Sequence, residues 1–283
     1  MSVPLPSRIG PYELHLIEAG SFRLDGGAMF GVVPKPLWER KIPADERNRI
    51  LLAMRCLLLT SADRTILVDV GIGGKFDSKF ADIYGVDSSD STLRDALASA
   101  GVQPEDVTDV VLTHLHFDHC GGATSWNGSD LVPTFLSATY HVQEEHWRWA
   151  CDPNPRERAS FLQENFLPVE AAGQLNRVQG GTVLFEGVET VVVNGHTRAM
   201  QLVKVADGGT TLLYAADLVP TAAHVPLPWI MAYDVEPLRT LEEKERILGQ
   251  AADEGWILVL EHDPQHAAIR IERDGSSFRA VLE

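Results

Sequence analysis

The segment VTDVVLTHLHFDHCGG, residues 107–122, carries the densest chemistry in the chain. Within six residues it places His114, His116, Asp118 and His119, directly after an apolar run and just before Gly-Gly. Alternate residues of an extended chain point to one side, so His114 and His116 can grip one cation from the same face. The turn that follows brings Asp118 and His119 toward a second cation beside the first. Imidazole and carboxylate donors suit zinc, with iron, manganese or cobalt as alternatives. A His-rich surface loop would have neither the buried strand ahead of it nor the glycines behind.

Two ions need more ligands than this cluster supplies. Three later residues each stand where an apolar strand ends: His196 in VETVVVNGHT (188–197), Asp217 in TTLLYAADL (210–218) and His262 in WILVLEHD (256–263). In a layered α/β sheet, strand ends at one edge converge on a common crevice. A carboxylate can bridge two cations, and Asp217 is the natural candidate.

The elements that must position these side chains are legible as patterns. Runs 12–18, 51–60, 65–70, 108–113, 188–194, 201–206, 210–215, 256–260 and 266–272 read as strands. Segments 91–100, 144–150, 156–164 and 238–253 read as helices; in the last, Leu238, Leu241, Ile247 and Leu248 recur at helical spacing. Helices set between strands in both halves predict a layered α/β protein. No linker divides the chain, so residues 1–283 read as one domain. TILVDVG (65–71) and TLLYAADL (211–218) echo each other, as two related halves would, although two unrelated buried strands would look the same. Residues 26–49 read as an irregular loop with Met29, Phe30 and Trp38 in it, expected to form a lid or pocket wall.

Composition narrows the function classes. The 283 residues hold 24 Lys plus Arg against 40 Asp plus Glu, a formal charge of −16. Affinity for nucleic acid rests on cations neutralising phosphates, so neither nucleic acid nor an anionic membrane is an expected partner. The most apolar segment, 50–59, is interrupted by Arg55 and is half the ~20 residues that span a bilayer. The N-terminal residues show no basic stretch followed by an apolar run, so no secretory signal is expected. Three cysteines, Cys56, Cys120 and Cys151, form no CxxC pair, which fits a reducing cytoplasm. The expected partner is a small-molecule substrate, and the aromatic 26–38 segment suggests a homodimer.

HLHFDH, the downstream NGHT, the strand ending in AAD and the final EHD resemble the metallo-β-lactamase superfamily, in order and spacing, from about residue 12 to 275. The resemblance implies a four-layer αββα sandwich with the site at one edge of the sheets. It implies His114, His116 and His196 on one metal, Asp118, His119 and His262 on the other, and Asp217 bridging. Asp69 matches an early strand-end Asp of the family, implying a supporting partner for a ligand.

Two divalent ions about 3.5–4 Å apart can share a water, deprotonate it near neutral pH and polarise a carbonyl or phosphoryl oxygen. The hydroxide then attacks, and Asp118 or Asp217 can pass a proton to the leaving group. Lactones, esters, thioesters and phosphotriesters are all compatible. The resemblance implies that an Asp, not a Cys, at 217 points away from β-lactamases, and that His116 points away from flavin-dependent diiron relatives. No basic cluster is seen for glutathione. GAMFGVVPKPLW (27–38) and DLVPTAAHVPLPW (217–229) are similar to stretches of quorum-quenching lactonases and organophosphate-hydrolase-like enzymes. The leading expectation is a dinuclear-metal hydrolase of a small lipophilic lactone or ester. A phosphotriester or thioester hydrolase with the same site, oxidation at one iron, and a non-catalytic metal-binding module are the alternatives.

Two departures from the family pattern matter. GHTPGH is GHTRAM here (195–200), and a Tyr that many lactonases place three residues after the bridging Asp is Pro220. A group to hold the substrate carbonyl must then come from elsewhere, such as Tyr233 or His224. Trp229, Phe30 and Met29 are the further candidates for the substrate pocket, since such pockets are mostly apolar with a few polar anchors.

Overall fold

The computed structural model describes residues 3–89 and 92–282. The first half contributes β1 (Arg8–Ile9), β2 (Tyr12–Asp25), β3 (Arg49–Thr60), β4 (Thr65–Val68) and β5 (Asp109–Val111), then a separate hairpin of β6 (Thr124–Asn127) and β7 (Asp130–Pro133), then β8 (Thr139–Gln143) and β9 (Leu175–Val178). Seven of these form one sheet in the order β1-β2-β3-β4-β5-β8-β9. The second half supplies β10 (Val183–Phe185), β11 (Val188–Val193), β12 (Met200–Asp207), β13 (Thr210–Tyr214), β14 (Ile257–Val259), β15 (Ala268–Asp274) and β16 (Ser277–Val281), paired in chain order as a second seven-stranded sheet.

The echo between TILVDVG and TLLYAADL has a structural basis. β4 and β13 are each the central strand of their sheet. Each pairs antiparallel with the strand before it and parallel with the strand that follows it in the sheet. A parallel neighbour needs a crossover connection; in the second half this is the 18-residue helix that occupies Pro237–Glu254.

Strand periodicity sorts the core into layers. On β3, Leu57 and Leu59 join a cluster shared with Val203, Val205 and Leu213 of the other sheet, whereas Cys56 and Leu58 join the opposite cluster. Ile66 and Val68 likewise part from Leu67, and Val111 from Val110. The two sheets therefore pack face to face, with helices outside each, the four-layer αββα arrangement. Because β3 is covered on both faces, its sequence is a continuous apolar run and not an alternating one.

Eight helices are described: α1 (Gly26–Phe30), α2 (Lys35–Trp38), α3 (Ser78–Tyr84), α4 (Thr92–Ser99), α5 (Phe117–Cys120), α6 (Glu144–Cys151), α7 (Leu167–Ala171) and α8 (Pro237–Glu254). α4 packs on β2, α6 on β8 and β9, and α8 on β15 and β16. Residue 91, where the first helix was expected to start, lies outside the described residues. Among the described residues no helix is long and apolar enough to cross a membrane.

Two expectations need correction, and one strand went unread. Residues 156–164 do not form a helix; only a short 3₁₀ turn, Gln163–Asn165, is present. The side chain of Asn154 accepts from the backbone N–H of Arg156 and Glu157, a local turn that competes with helix propagation. Residues 26–49 are not wholly irregular: Asp25 caps α1 through Ala28 N–H, and Trp38 of α2 lies against Gly26, where a Cβ would come within 2.4 Å of its ring. β8 escapes a hydrophobicity reading because it buries His141 and Gln143, each satisfied by hydrogen bonds inside the protein.

Candidate metal centre

Every expected ligand follows a strand. His114 and His116 come just after β5, with Asp118 and His119 in the one-turn helix α5. His196 follows β11, Asp217 sits in a 3₁₀ turn after β13, and His262 follows β14. The chain turns sharply here: Asp69, after β4, has φ +54°, and Ala216, beside Asp217, has φ +42°. For a non-glycine residue such backbone costs on the order of 1–2 kcal/mol, which the surrounding packing must offset.

These turns bring seven donors together in two sets. Ligand atoms of His114, His116, His196 and Asp217 all lie within 4.8 Å of one another, and so do those of Asp118, His119 and His262. All seven residues are buried. Nε2 of His114 and Nε2 of His196 stand 3.1 Å and 3.2 Å from Nδ1 of His116. Nε2 of His119 and Nε2 of His262 are 3.2 Å apart. Asp217 faces both sets, with Oδ2 at 3.1 Å from His196 Nε2 and Oδ1 at 3.2 Å from His262 Nε2.

The outer nitrogens settle which way the rings are protonated. Nδ1 of His262 faces the carbonyl of Ala53 at 2.8 Å, which can only accept. Nδ1 of His196 faces Oδ1 of Asp234 at 2.9 Å. Nδ1 of His119 faces Oδ2 of Asp69 at 3.1 Å, with Glu261 Oε2 at 3.0 Å. Nδ1 of His114 donates to the hydroxyl of Thr113, which itself donates to Asp69. In a neutral imidazole one nitrogen donates and the other accepts. Each of these rings, when neutral, therefore turns an Nε2 lone pair inward. Lone pairs 3.2 Å apart repel unless positive charge lies between them, and Asp217 Oδ1 is itself buried without a hydrogen bond. The donor set fits divalent cations.

The electrostatics agree. Burial opposes protonation of His119, yet Glu261, Asp118 and Asp217 outweigh it and hold its pKa well above the usual histidine value. Burial also opposes protonation of His262, but Asp217 pushes it up to about 9. Burial prevails at His114 and His116, whose pKa values are lowered, so it is around the carboxylates facing His119 and His262 that positive charge is favoured.

The GHTRAM segment keeps its shape without the Pro-Gly turn. Asn194 Oδ1 accepts from Ala199 N–H, and Ala199 takes φ +52°. His146 of α6 accepts from Leu115 N–H through Nε2 and donates from Nδ1 to the Arg198 carbonyl. One buried imidazole thus ties this segment to the HLHFDH turn. At Pro220, the carbonyl accepts from His262 N–H.

A cavity of ≈ 320 Å³ opens over the donors, with His116, Asp118, His196, Asp217 and His262 on its floor. Leu24, Ala28, Met29, Phe117 and Met231 line it with apolar surface, and Tyr84, Arg156, Glu157, Ser160 and Tyr233 supply polar groups. Met29 and Tyr233 thus reach the cavity, and α1 forms part of its wall. Phe30, His224 and Trp229, expected as substrate contacts, are not among the residues that line it. Phe30 is buried between Trp38 and His224, with ring centroids at 5.2 and 4.6 Å, and Trp229 meets its edge. His224 is spent on the Met29 carbonyl and on Thr221. These three brace the wall from behind.

Sequence reasoning missed Glu157, Arg156 and Ser160, which lay inside the misassigned helix, and Asp234 and Glu261. Glu261 stands in the quoted EHD motif, so its adjacency to His262 was the available signal. Burial pushes its carboxyl up to about 7, Asp69 adding to the effect while His119 opposes it. Asp234 had no local signal.

Imidazole lone pairs and carboxylates converging at one edge of a two-sheet sandwich define a metal-dependent hydrolase. The chain belongs to the metallo-beta-lactamase superfamily, whose family model matches residues 55–262. It is 26% identical over 179 residues to an N-acyl homoserine lactonase of Bacillus cereus, across 59% of this chain and 64% of that relative. The matched stretch is therefore less than two thirds of the lactonase's length. A probable metal-dependent hydrolase from Staphylococcus aureus superposes with a TM-score of 0.89 at 30% identity, covering 98% of both chains. AidC, a dizinc quorum-quenching lactonase, shares the fold with a TM-score of 0.82 at 19% identity, over 98% of this chain and 96% of its own.

Proposed function

We propose that this chain is a dinuclear zinc hydrolase acting on the carbonyl of a small, lipophilic lactone or ester. The observation that carries the reading is the double-faced carboxylate of Asp217, one oxygen 3.1 Å from His196 and the other 3.2 Å from His262. A carboxylate so placed is the shared ligand that two neighbouring cations require. In this reading His114, His116 and His196 hold one ion and Asp118, His119 and His262 the other. Divalent ions bound there supply a Lewis acid for the carbonyl oxygen and bring the pKa of water toward neutrality.

The chain's own side chains do the rest. Leu24, Met29, Phe117 and Met231 give an uncharged acyl or alkyl group apolar surface. Asp118 and Asp217 are the carboxylates on the cavity floor placed to pass a proton to the leaving oxygen. Tyr233 offers a phenol whose pKa burial raises, so it stays a hydrogen-bond donor for the substrate carbonyl in place of the Tyr that lactonases carry at Pro220. The similarity to an N-acyl homoserine lactonase supports a lactone as the first substrate to try.

The test is turnover by the zinc-loaded protein on acyl homoserine lactones, aryl esters and phosphotriesters, with metal content measured alongside. Hydrolysis of lactones or esters with two equivalents of metal is expected. Activity confined to phosphotriesters would overturn the substrate reading, and one equivalent of iron alone would overturn the dinuclear one. An Asp217→Ala protein with full activity would sink the role of the shared carboxylate.

A further inference from the structure

His116 differs from the other four histidines of the centre. Those turn Nε2 inward and engage the protein through Nδ1, whereas His116 turns Nδ1 inward, toward His114 and His196. Its Nε2 is buried and makes no hydrogen bond within the protein. An imidazole that gives its Nδ1 lone pair to a cation carries its proton on Nε2, and a buried N–H with no acceptor costs about 1–3 kcal/mol. The charged group facing that nitrogen is Glu157, with Oε1 3.8 Å away, an ion-pair separation wider than a hydrogen bond.

Glu157 is itself held from three directions. Thr197 Oγ1 donates to Oε1 at 2.6 Å, while Trp149 Nε1 and Asn154 Nδ2 donate to Oε2 at 2.8 and 2.5 Å. The carboxylate is 4% exposed, and donors in this number stabilise its ionised form against burial. Thr197 directly follows His196, so one carboxylate meets the ring of His116 and the segment that carries His196.

We propose that Glu157 is a positioning residue. By attracting the Nε2–H of His116 it selects the tautomer and ring orientation that aim Nδ1 at the cation shared with His114 and His196. The inference rests on the reading of those three histidines as ligands of one ion. A Glu157 that merely anchored the 154–160 turn would matter for stability and not for metal affinity.

Two measurements on the intact protein test this. In the first, metal-stripped wild type and Glu157→Gln are titrated with zinc against a chromophoric competitor. In the second, ¹⁵N-histidine NMR of the zinc-loaded wild type reads the protonated nitrogen of His116, independently of whether the variant folds. Supporting outer partners of ligands are typically worth 10–100-fold in metal affinity. A loss of that size at one equivalent is expected in Glu157→Gln, with His116 protonated at Nε2 in the wild type. Unchanged affinity at both equivalents overturns the role of Glu157 and leaves the metal site standing, whereas a proton on Nδ1 of zinc-loaded His116 overturns both that role and the reading of Nδ1 as the ligand atom. Wild type that takes up no zinc overturns the site reading and this inference together.

Discussion

Asp234 accepts from Nδ1 of His196 at 2.9 Å through one oxygen and from the hydroxyl of Thr240 at 2.7 Å through the other. A loop carboxylate thereby ties a proposed ligand to the first turn of α8. Removing it frees the ring to rotate and leaves its Nδ1–H without an acceptor. Asp234→Ala is expected to lower zinc affinity by roughly 10–100-fold while the protein stays folded, which competitive zinc titration and circular dichroism would check. Wild-type affinity would show that His196 needs no such support.

Gly195 stands one residue before His196, where a Cβ would come within 2.2 Å of Thr240 Oγ1 and 2.4 Å of its backbone nitrogen. The approach is this close because Glu236 N–H donates to the Gly195 carbonyl and Glu243 accepts from Gly195 N–H. Overpacking of this kind costs about 1–3 kcal/mol or more. Gly195→Ala is expected to melt several degrees below wild type and to lose activity, because the helix start and His196 must move apart. An unchanged melting temperature would contradict the packing described.

The inward lone pairs and carboxylates of the centre repel one another when no cation is bound. Zinc that binds the folded chain alone stabilises it by about 4 kcal/mol at a free concentration 1,000 times its Kd. Chelation should lower the melting temperature, and stepwise zinc addition should restore it in proportion to the logarithm of free zinc. A melting temperature indifferent to chelator would count against ion binding at this site.

Asp109 stands at the start of β5 and binds three donors: Arg64, Thr108 and His141. Burial pushes its carboxyl up, but the hydrogen bonds from His141, Thr108 and Arg64 win and hold it below the usual aspartate value. A carboxylate with a depressed folded-state pKa stabilises the protein above its unfolded pKa, about 3.9, and that contribution fades as pH falls through the folded value. Asp109→Asn should therefore cost about 1–3 kcal/mol in urea unfolding at pH 7, with the gap to wild type narrowing below about pH 4. A gap that is constant with pH would show that the charge of Asp109 contributes nothing.

Much of this protein is legible one segment at a time. The strands ahead of His114 and His262 are buried throughout and those ahead of His196 and Asp217 in part, and each run stops shortly before a donor. Helix α8 announces itself through Ile247 and Leu248, both buried. The reading failed where polar side chains outcompeted the hydrophobic pattern. Asn154 turned 156–164 away from a helix, and in β8 the buried polar His141 and Gln143 alternate with Tyr140 and Val142, so no apolar run marks the strand.

The sequence by itself pointed to the seven His and Asp side chains that cluster here and to the strands that precede them, because metal chemistry needs particular residue types and folding needs apolar runs, and both are local properties. Only the tertiary structure decided which nitrogen each ring turns inward, since Ala53, Asp69, Asp234 and Glu261 are remote in sequence from most of the rings they hold. It also decided which aromatic residues line the cavity. Phe30 and His224 stack on each other behind the wall while Tyr233 faces the opening, and residue type and spacing are blind to that difference because it is set by the packing of one loop against another.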